Sequence, residues 1–250
     1  PDKDWLAWGS GDGSYCSIFN LGTSIYSSSQ SGTTYLENNV TDEASYYWTR
    51  VDPEGATGQL FINPFIEDAN NSEILYYAAG QYIWRNSNIF EIPKLQSNEA
   101  NINWEKLEIS TASGTVSAME SSTFPAHILY YGTSTGKVYK IENSHSKWAK
   151  KNDITGTNMP AGNVISIDAN PLNANEVLVG FSNYGIESIF STTDGGTTWT
   201  PVSGNLEEIN GENNGPSIRS LAYMVSPTDT TYYAGTSTGL YSTTKLEGSS

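Results

Sequence analysis

Residues Ser191 to Leu206 read STTDGGTTWTPVSGNL, and this stretch decides the fold. Within it, Thr192-Thr193-Asp194-Gly195-Gly196-Thr197-Thr198-Trp199 predicts two short strands joined by a tight acidic turn. An aspartate at the head of such a turn accepts hydrogen bonds from backbone N–H groups one or two residues ahead. Gly195 and Gly196 supply positive φ without a Cβ clash. Thr192 and Thr198 are placed to face each other across the hairpin, and Trp199 to send its ring into a core.

Working outward, a second pattern recurs: an apolar strand, a glycine, a small polar turn, then an aromatic-rich strand. It occurs as LGTSIYSS from Leu21, AAGQYIWRN from Ala78, YGTSTGKVYKIEN from Tyr131, VGFSNYGIESIFST from Val179 and AGTSTGLYSTT from Ala234. The anchoring glycines are Gly22, Gly80, Gly132, Gly180 and Gly235. Trp48, Trp104, Trp148 and Trp199 each open a further strand, with the large rings expected to fill gaps between sheets. Small, mostly apolar stretches precede each unit: Gly58–Pro64, Val116–Met119, Val164–Pro171 and Ile218–Ala222.

One unit is therefore an inner strand, a Pro/Asn turn, a second strand ending in Gly, a third strand, a tight turn and a Trp-led fourth strand. Four strands at a period of roughly fifty residues match a β-propeller blade. A helical period of 3.6 is not sustained anywhere. The fold expected is all-β, a single propeller over 1–250 with blades at about 1–51, 58–110, 115–154, 162–206 and 216–246. The fifth unit has no Trp strand of its own, and the stretch around Trp5 is a candidate to supply one. Five units also fit a piece of a larger propeller or multidomain protein.

Composition narrows the function classes. The chain has 250 residues, with 23 Gly, 16 Tyr, 7 Trp and a net charge of −15. Without a basic stripe it offers nothing to displace phosphate counterions, which excludes nucleic acid as a partner. The same charge opposes anionic membrane surfaces, and no apolar run is long enough to span a bilayer. Cys16 stands alone, so no internal disulfide framework exists, and with two histidines no ordinary His/Cys zinc site either. No metal site is assigned and no cofactor is expected, although acidic loops suit calcium. A secreted or cell-surface setting fits the acidic, hydroxyl-rich surface.

The octet around Asp194 resembles the Asp-box, or BNR repeat, of the propellers in sialidases, xyloglucanases and sortilin-type receptors. Its matching positions are Thr192, Asp194, Gly196, Thr198 and Trp199. The resemblance implies a structural hairpin at the blade rim, away from the ligand face. The box is complete once; Ser29-Gln30-Ser31-Gly32 and Asn143-Ser144-His145-Ser146 lack its acid. The phrases GDGSY at Gly11 and SIDANPLNANEVLVG at Ser166 are also similar to secreted bacterial repeat proteins that carry a C-terminal sorting domain in Bacteroidetes.

Candidate chemistry is thin. A sialidase needs three convergent arginines; Arg50, Arg85 and Arg219 are the chain's whole supply, and two of them sit at different strand positions within their units. A xyloglucanase-like hydrolase needs two facing carboxylates; Asp12, Asp42, Glu43, Asp68 and Asp168 are available, and no motif selects a pair. Asp12 reads as a turn former and Asp168 as the cap of a strand-to-turn transition. His127 and His145 read as surface turn residues, and no G-x-S-x-G elbow accompanies them. Asn39-Val40-Thr41 and Asn70-Asn71-Ser72 match the N-glycosylation sequon, idle in a bacterial protein. Adjacent aromatics are a stronger clue, because neighbours in a strand face opposite ways. One ring of each pair is expected to be inter-blade core, and the other either packs between sheets as well or is free; Tyr47, Tyr77, Trp84 and Tyr233 are the ligand-contact candidates if it is free. The function expected is a binding or scaffold module for glycan or protein, with a glycoside hydrolase as the alternative and no enzyme favoured.

Overall fold

The computed structural model describes residues 11–207 and 214–246. Five antiparallel sheets stand as the blades of a β-propeller. Blade 1 holds β1 (Gly13–Phe19), β2 (Ser24–Ser29), β3 (Thr34–Asn38) and β4 (Tyr47–Arg50). Blade 2 holds β5 (Phe65–Asp68), β6 (Asn71–Ala79), β7 (Tyr82–Asn86) and β8 (Trp104–Leu107). Blade 3 holds β9 (Val116–Ser121), β10 (Leu129–Thr133), β11 (Val138–Glu142) and β12 (Lys150–Asp153). Blade 4 holds β13 (Val164–Ala169), β14 (Val177–Phe181), β15 (Ile189–Thr192) and β16 (Thr200–Pro201). Blade 5 holds β17 (Ile218–Val225), β18 (Thr230–Thr236) and β19 (Leu240–Thr243), three strands among the described residues. Among the described residues helix is confined to single 3-10 turns.

Four apolar clusters join the blades in series, and the second strands explain how. Along β6, Leu75, Tyr77 and Ala79 pack toward blade 1, while Ile74, Tyr76 and Ala78 pack toward blade 3. Successive side chains leave opposite faces of a strand, and here both faces are covered, so the run is apolar throughout instead of alternating. β10 repeats the device: Leu129 and Tyr131 face blade 2, Tyr130 faces blade 4. The four tyrosine hydroxyls then reach across the seams. Tyr77 donates to the Gly32 carbonyl at 2.7 Å and Tyr131 to that of Ser110 at 2.9 Å. Tyr76 donates to Ser144 Oγ at 2.8 Å and Tyr130 to the Ala174 carbonyl at 2.7 Å. Each ring contributes its burial, and the polar tip finds a partner in the neighbouring blade.

The anchoring glycines divide into groups. Gly132 and Gly180 lie within second strands because the next blade is too close for a side chain. A Cβ on Gly132 would sit 2.3 Å from Val164 Cγ1, and one on Gly180 would sit 2.9 Å from Ile218 Cγ2. Gly235, at the matching place in β18, meets Ser220 of its own blade. Gly80 instead sits in the turn after β6 at φ 59°. Gly22 belongs between the first and second strands of blade 1, not after the second; the turn glycine there is Gly32 at φ 82°. Gly58–Pro64 is likewise a connection and not an inner strand. Asn63 ties it down, accepting from Leu60 N and donating to the Ala78 carbonyl, and β5 starts only after Pro64.

Candidate functional site

The turn at Asp194 is built by hydroxyls. Thr192 Oγ1 donates to Asp194 Oδ1 at 2.8 Å, and Thr198 Oγ1 donates to Oδ2 at 2.6 Å. The backbone donor is Thr198 N, four residues ahead and not one or two, at 2.9 Å to Oδ1. Gly196 N meanwhile donates to Thr192 Oγ1. Gly195 and Gly196 adopt φ of 72° and 93°. With the Thr198 hydroxyl first among several donors, the Asp194 carboxyl is pulled down to about 2. Trp199 is buried, 7% exposed, and its Nε1 donates to the Ile154 carbonyl of blade 3 at 2.7 Å.

Trp104 repeats that contact, giving Nε1 to the Val51 carbonyl of blade 1 at 2.9 Å. Trp148 does not: it is 74% exposed. The seam between blades 2 and 3 is filled by the stacked Tyr131 and Tyr139, centroids 5.0 Å apart. Trp48 rests edge-on against Tyr35 in its own blade.

Two of the four nominated contact aromatics are interior. Tyr77 is fully buried because β6 is covered on both sides, and Tyr47, 8% exposed, lies under Lys94 Nζ and accepts from Asn38 Nδ2. Trp84 is half-buried against the blade 1–2 cluster. Tyr233 alone of the four reaches a cavity. That cavity, about 460 Å³, lies at the seam of blades 4 and 5, lined by Val202–Leu206, Tyr232–Ala234, Tyr241–Leu246, Leu178, Ile189 and Leu221. Its volume falls within the roughly 300–1,000 Å³ of ordinary ligand pockets.

The carboxylates sort by environment. Asp42 caps its own turn, accepting from Ala44 N and Ser45 Oγ, and Asp12 and Glu43 are exposed. Asp168 is no turn cap. It lies in β13 and accepts from Tyr223 N of blade 5, while Asn170 takes the turn by accepting from Leu172 N. On the next first strand Glu120 occupies the equivalent place: Glu120 pairs with Tyr130 and Asp168 with Leu178, each two residues before Gly132 and Gly180. Glu67, on β5, takes a 2.5 Å hydrogen bond from Ser17 Oγ. Burial raises Glu120 well above the usual carboxylate range, with the charges of Asp168 and Glu67 adding to it. Burial also raises Asp168 to about 6. Glu67 and Glu120 were not singled out from the sequence; Glu120 carries a signal in the strand register it shares with Asp168, whereas Glu67 pairs with Leu75 and does not share that register.

Asp68 leads a separate cluster. It is buried, accepts from Tyr76 Oη at 3.1 Å and faces His127 Nδ1 at 3.0 Å. The His127 and His145 rings lie 3.9 Å apart. Burial lowers His145, and the neighbouring His127 and Arg85 push the same way. Arg85 donates to the Ser144 and Ser146 carbonyls and to Glu105. Both histidines are thus half-buried parts of a seam and not free surface residues, because the blade 2–3 contact folds their turn inward. Arg50 pairs instead with Asp52 and Glu99, and Arg219 is exposed on β17, so the three arginines do not converge. Among the described residues no group of three His, Cys, Asp or Glu side chains is gathered for a metal ion. No described helix is long and apolar enough to cross a membrane.

No protein-family model matches the chain, and no curated protein matches it. Solved structures do match. One is the crystal structure of an ancestral GH74 enzyme, at a TM-score of 0.55 and 16% identity, aligned over 96% of this chain. The chain spans 32% of that protein's length. What this establishes is a shared fold: the chain is a five-bladed β-propeller like a stretch of that enzyme.

Proposed function

We propose that this protein is a secreted propeller that binds a glycan or protein partner, its Asp194 turn being an Asp-box of structural duty only. One observation carries the reading. The 460 Å³ cavity is lined by three tyrosines with hydroxyl and aliphatic side chains and Lys245, and no carboxylate is among its described lining residues. Tyr and Trp rings with a few polar atoms suit recognition by stacking and hydrogen bonding. Additional domains or blades of the same protein are compatible partners, and calcium in the acidic loops would serve stability. The test is a glycan array read beside polysaccharide turnover. Binding without turnover is expected, and Tyr233→Ala should weaken it about tenfold. Turnover of a polysaccharide with no array signal would overturn the reading.

A second reading rests on Glu120 and Asp168. Two carboxylates in different environments divide acid from base, and a glycosidase uses such a pair. Glu120, held neutral, would be the proton donor, and Asp168 its base. The fold shared with an ancestral GH74 enzyme supports the class. Hydrolysis of xyloglucan by the wild type, lost in Glu120→Gln, is the result this reading requires.

A further inference from the structure

At two other seams a tryptophan leading the later blade's fourth strand bonds the residue that follows the earlier blade's fourth strand. Trp104 opens the fourth strand of blade 2 and gives its Nε1 to the carbonyl of Val51, the residue directly after β4. Trp199 leads the fourth strand of blade 4 and gives its Nε1 to the carbonyl of Ile154, directly after β12. At the seam of blades 4 and 5 the matching residue is Val202, directly after β16, and Val202 lines the cavity.

Among the described residues no strand pairs with the outer edge of β19. All four residues of β19 are exposed, and Tyr241, Ser242 and Thr243 form one wall. An edge with free N–H and C=O groups takes an added strand, with main-chain bonds giving affinity and side-chain pockets giving selectivity. The register is readable from blade 2. There Trp104 pairs with Asn86, the last residue of the third strand, and Leu107 pairs with Ile83, three residues earlier. Carried to blade 5, a tryptophan falls opposite Thr243 and an apolar residue three further on falls opposite Leu240. The fourth strands around Trp48, Trp104 and Trp199 read WTRV, WEKL and WTPV, the same Trp-x-x-apolar spacing.

Resting on the binding reading above, we infer that the partner at this site is a polypeptide offering an extended Trp-x-x-apolar segment. The segment adds antiparallel to β19, its indole entering the cavity and donating Nε1–H to the Val202 carbonyl. The favourable terms are indole burial and main-chain pairing along a preformed edge.

The test is a fluorescein-labelled peptide copying residues 196–203 (GTTWTPVS), titrated into the full chain and read by anisotropy. Saturable binding is expected, weakened about tenfold or more when the peptide's Trp becomes Ala. It should be lost in Ser242→Trp, which fills the cavity, and in Leu240→Lys, which blocks the edge; unchanged β-sheet circular dichroism certifies that each variant is folded. Absence of saturation to about 1 mM, a limit of −4.1 kcal/mol, overturns the proposal. So does equal binding of the Trp-less peptide, or of either folded variant. Trp5-Leu6-Ala7-Trp8, outside the described residues, has the same spacing. If Trp5→Ala/Trp8→Ala tightens peptide binding tenfold, the chain's own segment is the occupant and a separate partner is overturned. A glycan array on the same preparation separates the two readings: glycan binding without peptide binding removes only this inference, and neither signal removes both.

Discussion

Asp194 shows what one side chain does for a hairpin. Its two oxygens collect three hydrogen bonds from Thr192 and Thr198, and the ionised form is the one they favour. A carboxylate depressed to about 2 contributes stability above its unfolded pKa, and that contribution is lost as pH falls from near 4 toward 2. Asp194→Ala should therefore lower the thermal midpoint at pH 7, and the gap from wild type should close in scans taken toward pH 2. A constant gap across that range would assign the effect to lost shape and not to charge. The acid, its threonines and the glycines were all legible in the sequence. The donor was not, because whether Thr198 N or a nearer amide turns inward depends on the hairpin's closed geometry.

Strands carry the next scale, and the second strand of each blade is the informative one. Tyr76-Tyr77 in β6 looks like a surplus of aromatics with a ring to spare, and β10 carries a similar pair in Tyr130-Tyr131. Both rings of each pair are instead buried, since a blade is covered on its two faces and alternation sends Tyr76 forward and Tyr77 back. Alternation itself was readable; that both sides are interior was not, because nothing local tells a strand how many neighbours its sheet has. Close approach of blades makes a sharper prediction. Gly132→Ala should destabilise by about 1–3 kcal/mol in denaturant titration, since the new methyl meets branched carbons of Val164. Gly13→Ala, with nothing within 4 Å of its added carbon, is the control and should change stability little.

For the whole molecule, the decisive feature is the gathering of first strands, which places Glu67, Glu120 and Asp168 near one another from three blades. Burial raises the last two, so the folded state holds protons that the unfolded chain releases. Stability should then fall as pH rises from about 4 through 6. Asp168→Asn, which keeps an oxygen for Tyr223 N, should be more stable than wild type at pH 7 by on the order of 2 kcal/mol and equal to it near pH 4. Urea titrations at the two pH values check this; equal differences at both would mean the carboxyl is not a buried charge.

By itself the sequence determined the repeat, the strand type and the Asp194 hairpin, because these depend on period, turn chemistry and neighbours within a few residues. Only the tertiary structure decided which aromatics are hidden, which acids share a strand register and where a tryptophan-sized cavity remains. Those properties belong to pairs of blades some fifty residues apart, and the chain encodes them solely through how closely one sheet is allowed to approach the next.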